Sequence, residues 1–331
     1  KMSSNVPPAI FISREWQKLQ QTGSAVMNSK KVNLAFLVSV IIYVGGVFAI
    51  SAFCPYILEN VVLNNLICES MMVLPGFVVF LFSEKEKAEF LSFHRIKTGT
   101  LLAVIPFTLF SMPLISLANL LSQFFTTNRV IEAMETTDMG QIAFLPLLFS
   151  AGIFAPFCEE LLCRGIYYRG YRKSGSAFQA MLLSALLFAL IHMNVNQAIY
   201  AFLMGVLAVL LVEASGSLWA SVFYHVLINS SQVFLMRIMM TANPDIYSDS
   251  ATQLTNETLA MAAGSFLIIA AIMAPFAWMI LVWMSKNENR RGVLMEILEK
   301  RKEKKEKMIS VPLVLAVLFC IIMIIYTEII G

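Results

Sequence analysis

The stretch IAFLPLLFSAGIFAPFCEELLCRGIYYRGYRK, residues 142–173, decides how this chain folds. Its apolar run over 142–163 is broken only by Glu159 and Glu160, is long enough to cross a bilayer as a helix, and is followed at once by Arg164, Arg169, Arg172 and Lys173. Runs of the same kind recur on both sides, near 33–54, 60–82, 99–121, 177–194, 197–213, 217–240, 259–285 and 309–330. The pattern predicts an all-α, polytopic transmembrane helical bundle of about 8–9 spans. Composition agrees: of 331 residues 58% are hydrophobic and only 14% charged, where soluble domains carry about a quarter charged residues.

A formal charge of +3 is too small to suggest a nucleic-acid partner, so the placement of the basic residues matters more than their number. Lys85, Lys87, Arg95 and Lys97 fall in one inter-span segment, Arg164 to Lys173 in another, and Lys286 to Lys307 in a third. The alternate segments are acidic, with Glu132, Glu135 and Asp138 in 122–141 and Asp245, Asp249 and Glu257 in 241–258. The positive-inside rule then places the N-terminus in the cytoplasm of a multi-pass cell-membrane protein. The expected organisation is a cytoplasmic segment 1–32, a transmembrane domain 33–285, a basic amphipathic cytoplasmic segment 286–308 and a last transmembrane helix 309–331. Val293, Leu294, Ile297 and Leu298 within that segment suit either a helix on the inner leaflet or a solvated linker helix. The first span is expected to remain as an anchor. Cys54, Cys68, Cys158, Cys163 and Cys320 lack CxxC spacing and are read as small core residues.

Ionisable groups inside apolar runs are costly, and each needs a reason. Glu159 and Glu160 are joined by His192 in FALIHMN and by His225 in SVFYHVLINSS, which also carries Asn229. Glu160 and Arg164 are four residues apart and share a helical face, while Glu159 lies about 100° away. Glu160 is thus expected to be neutralised by Arg164, leaving Glu159 to face a cavity as a general base or acid. His225 and Asn229 share a face too, so an imidazole and a carboxamide could point at one oxygen and stabilise an oxyanion. The bland alternatives are an ion pair locking a helix end and hydrogen-bonded helix contacts. Glu69 lies inside the second span without a matching partner, and His94 in a charged loop. At about 1.5 Å per residue, His192 lies roughly 25 Å from the Gly175 turn, whereas Glu159 and His225 lie roughly 15 Å from their helix ends. Convergence therefore requires stagger, tilt or a different helix boundary, and Arg164 would then be an intramembrane residue.

In order, these segments read Glu159-Glu160-Leu-Leu-Cys-Arg164, Phe188-Ala-Leu-Ile-His192 and His225-Val-Leu-Ile-Asn229. The set resembles the CPBP group of intramembrane peptidases, which includes type II CAAX prenyl endopeptidases and bacterial relatives linked to peptide processing and bacteriocin self-immunity. Each pattern alone is weak; three in order on neighbouring helices are specific. The resemblance covers about 142–240, helices 4–7, as the catalytic core. It implies that Glu159 with His192 activates a water, that His225 with Asn229 holds the oxyanion, and that Glu160 and Arg164 support them. The implied substrate is a membrane-associated or lipid-modified peptide or protein. No cofactor is expected: zinc on two His and a Glu is the alternative, but HExxH spacing is absent. A partner-binding scaffold or immunity protein of the same fold is the competing function, and a proton-coupled transporter a third.

Overall fold

The computed structural model describes residues 27–83, 86–128, 141–242, 255–298 and 307–330. The segment 1–26, the acidic residues Glu132, Glu135, Asp138, Asp245 and Asp249, and residues 299–306 of the basic segment lie outside the described residues. The long helices are α1 (Ser29–Phe53), α2 (Val61–Ser83), α3 (Thr98–Ser122), α4 (Phe144–Ser174), α5 (Ala177–Leu190), α6 (Val195–Ser215), α7 (Leu218–Ala242) and α8 (Asn256–Asn287); a short α9 (Val293–Leu298) precedes α10 (Val311–Ile330). The chain is an all-α polytopic bundle. Seven helices, α1 to α4, α6, α8 and α10, are long and apolar enough to cross a membrane by length and composition. The two other expected spans fall short for different reasons. α5 has only 14 residues, roughly 21 Å. α7 has 25, but Ser221, His225, Asn229, Ser230, Ser231 and Gln232 dilute its apolar character.

The basic segments gather at one end of the bundle. There Ser29 N donates to Ser174 Oγ (3.0 Å), Lys97 N to Glu288 Oε1 (3.0 Å), Ser217 Oγ to the His94 carbonyl (2.6 Å) and Asn33 Nδ2 to the Met308 carbonyl (2.9 Å). At the other end Asn196 Nδ2 donates to Asn119 Oδ1 (2.8 Å) and Thr126 Oγ1 to Glu328 Oε2 (2.8 Å).

The fourth span does not stop at Cys163. α4 continues to Ser174, with Ala155–Glu160 in α-helical form between two π-helical stretches, Leu148–Phe154 and Leu161–Tyr168. Arg164, read from sequence with the flanking loop cations, is therefore within the helix and 1% exposed. The continuation holds because two of its tyrosine hydroxyls find partners: Tyr168 OH donates to Glu213 Oε1 (2.8 Å) and Tyr171 OH to Asn33 Oδ1 (2.6 Å). Tyr167 meets Phe36 edge-on, with ring centroids 6.0 Å apart. Hydroxyls satisfied in the way of Tyr168 and Tyr171 no longer argue for a loop.

The amphipathic segment also differs from both expected placements over its described part. Val293, Leu294 and Ile297 are buried at 4%, 3% and 1% exposure in the main core, so the apolar face of α9 docks on the bundle instead of on lipid. Arg290 fastens it, with Nε donating to the Glu213 carbonyl (2.8 Å) and Nη2 3.5 Å from Glu213 Oε2. α10 belongs to the fold: beyond Met308 and Ser310 on Asn33, its Thr327 Oγ1 donates to the Met193 carbonyl (3.1 Å).

Candidate active site

Moving the end of α4 removes the mismatch in depth. Glu159 lies 15 residues before Ser174 and His192 lies 15 after Ala177, so both sit about 22 Å from the basic end. α7 starts deeper than α5: a Cβ added at Gly165 would meet the Leu218 side chain at 3.3 Å, which puts the first turn of α7 beside Gly165. Seven residues along α7 from Leu218 is His225, and seven back along antiparallel α4 from Gly165 is Cys158, next to Glu159.

The side chains there form one line of contacts. Arg164 Nη1 lies 2.8 Å from Glu160 Oε1, the same oxygen lies 3.0 Å from His225 Nδ1, and His225 Nε2 lies 3.4 Å from Glu159 Oε2. All four residues are buried, Glu160 completely and Glu159 at 8% exposure. A carboxylate in this setting is tolerable only when paired, and removing one partner of a buried pair costs about 3–5 kcal/mol because an uncompensated charge remains. Glu160 and Arg164 are thus structural whatever else they do. The i, i+4 ion pair expected from spacing is present, but Glu159 does not stand apart from it, because His225 links the two carboxylates.

Phe188 organises the other face. The Arg164 guanidinium lies over its ring at 4.2 Å from the centroid, and the rings of His192 and His225 meet it edge-on at 5.0 and 5.6 Å. His192 Nδ1 is 2.8 Å from the Phe188 carbonyl, which fixes the imidazole at the end of α5. It follows that His192 reaches the carboxylate line through Phe188, and that the histidine touching Glu159 is His225. Asn229, one turn beyond His225, donates from Nδ2 to the Ala151 carbonyl (3.3 Å), and Ser230 Oγ donates to the Gly152 carbonyl (3.0 Å). In this arrangement His225 and Asn229 are committed to different partners instead of pointing at a common oxygen. The first π-helical stretch supplies both accepting carbonyls, and Gly152 permits the approach, since a Cβ there would lie 2.9 Å from Ser230 Oγ.

Sequence reasoning named all six polar residues but not the roles of Phe188 and Gly152. Phe188 was visible only as a position four before His192, and the close approach at Gly152 has no signature in spacing. Glu69 reappears on α2, packed beside α4. The two His225 nitrogens face different carboxylates, His192 Nδ1 is held by a backbone carbonyl, and among the described residues no group of three or more His, Cys, Asp or Glu side chains is arranged to hold a metal ion.

Residues 141–231 match the family described as Type II CAAX prenyl endopeptidase Rce1-like, which supports a CPBP-family intramembrane peptidase. The match spans the carboxylate pair, both histidines and Asn229. No curated protein and no solved structure matches the chain.

Proposed function

We propose, taking the Rce1-like segment 141–231 as premise, that this protein is an intramembrane endopeptidase that hydrolyses a peptide bond of a membrane-associated or lipid-modified peptide through a water activated by Glu159. The observation that carries the reading is the line Arg164, Glu160, His225, Glu159, with successive contacts of 2.8, 3.0 and 3.4 Å. Arg164 pairs with Glu160, and Glu160 accepts from Nδ1 of His225. That hydrogen bond fixes the ring so that Nε2 faces Glu159, the logic by which an orienting carboxylate sets a catalytic imidazole. A water beside Glu159 and Nε2 meets two groups able to take its proton as oxygen attacks the carbonyl carbon. The same proton then goes to the leaving amine. His192, across Phe188, and the remaining amide hydrogen of Asn229 are the donors available to the oxyanion. No step is assigned to a metal.

The test is cleavage of a membrane-peptide library by purified wild type, Glu159→Gln and His225→Ala protein, each with and without a zinc chelator. Loss of general acid–base catalysis is worth about 10²–10⁴-fold, and a drop of that size is expected in both variants with chelator inert. Glu159→Gln activity within a few fold of wild type would sink the assignment of the base, and loss with chelator would replace it by a zinc mechanism.

A further inference from the structure

A hydrolase buried at mid-bundle consumes one water per bond cleaved, and that water must cross the apolar interior. α2 carries a carboxyl group at the corresponding depth. A Cβ added at Gly76 would meet Leu162 Cδ1 at 2.5 Å and the Tyr167 hydroxyl at 3.1 Å, so Gly76 marks where α2 lies against α4. Both helices run toward the basic end, and seven residues earlier on each the register sets Glu69 beside Ala155–Glu160. The packing of α2 against Ala155–Glu160 agrees with this placement. Among the described residues Glu69 has no hydrogen-bond donor and no cation against it, in contrast to Glu160 and Glu213, and it is only partly buried. A carboxyl group inside a membrane protein without a protein partner is satisfied by water.

A cavity of about 720 Å³ at the end opposite the basic segments is lined by Glu59, Asn60, Leu63, Leu66, Gln141 and Pro146. At about 30 Å³ each it has room for on the order of twenty waters. Leu66 on its wall is three residues from Glu69, on the same face of α2. We propose that Glu69 is a positioning residue of the hydrolytic site, holding the water that passes from this cavity to Glu159. The inference rests on the hydrolase reading for its purpose, but not for its first test.

Native sulfur atoms report on the path: Cys68 adjoins Glu69 in sequence and Cys158 adjoins Glu159. Hydroxyl-radical footprinting in liposomes, read by mass spectrometry, measures water at both thiols without any substrate. Glu69→Leu is expected to cut Cys158 oxidation several-fold while Cys320, remote on α10, is unchanged. On the best-cleaved library peptide it should lower kcat by on the order of 10²-fold with KM held, the cost of a misplaced reactant. Glu69→Gln, which can still hold water, should keep Cys158 oxidation and most of kcat, and it serves where the leucine variant fails to fold. Cys158 oxidation unchanged in Glu69→Leu would overturn the proposal, as would a glutamine variant that stays hydrated yet loses kcat, since charge and not water would then be what matters. If wild type cleaves nothing, the peptidase reading fails and the footprint still decides the water path.

Discussion

Gly152 shows how much of this site depends on one missing methyl group. A Cβ there would lie 2.9 Å from Ser230 Oγ and 3.2 Å from Ser230 Cα, and the second is backbone that cannot rotate away. Gly152→Ala should therefore separate α4 from α7, the two helices that supply Glu159 and His225. The expected result is a loss of kcat on the order of 10²-fold, with the protein still folded by thermal melting. Ser230→Ala in the same chain should recover little, because the contact with Cα persists. Single-residue legibility followed the range of the interaction. Glu160 with Arg164 could be read from a spacing of four. His225 on Glu160 spans 65 positions and joins two helices whose relative height depends on Gly165 and Leu218, which no spacing encodes.

Among the elements, α4 departed furthest from the boundary that hydropathy suggests. The end of α4 is rich in Arg and Tyr and reads as a loop, yet it is helical because Glu160 one turn earlier, and Glu213 and Asn33 on other helices, satisfy side chains there. The apolar run of α10 was plain in the sequence, but its place was not, because its ties are a few hydrogen bonds to distant residues. One of these reaches the site. Met193, next to His192, sits at φ 50, a backbone state unfavourable for a side chain of its kind, and its carbonyl accepts from Thr327. Thr327→Val should remove a bond worth about 0.6 kcal/mol in a membrane protein, too little to shift thermal unfolding by more than about 2 °C. A fall in kcat with that small shift, reversed in Thr327→Ser, would identify α10 as support for His192. An unchanged kcat would make the tie purely structural.

The distribution of charge over the whole bundle was legible from the start, and the structure collects the described basic segments at one end. We propose the orientation that the positive-inside rule assigns, with that end in the cytoplasm, and it has a native probe. Cys54 follows α1 at the opposite end and is partly exposed, whereas Cys158, Cys163 and Cys320 are buried. A membrane-impermeant maleimide added to intact cells should label Cys54, and labelling confined to inverted vesicles would reverse the topology. The helices that satisfy the apolar requirement for crossing are not the ones that carry His192, His225 and Asn229: α5 is too short and α7 too polar. During biosynthesis these two segments are the least able to leave the insertion machinery for lipid unaided. They are expected to enter the bilayer as passengers of α3, α4 and α6, the helices they pack against, so substitutions that weaken those neighbours would lower the yield of correctly threaded chains before they affected catalysis.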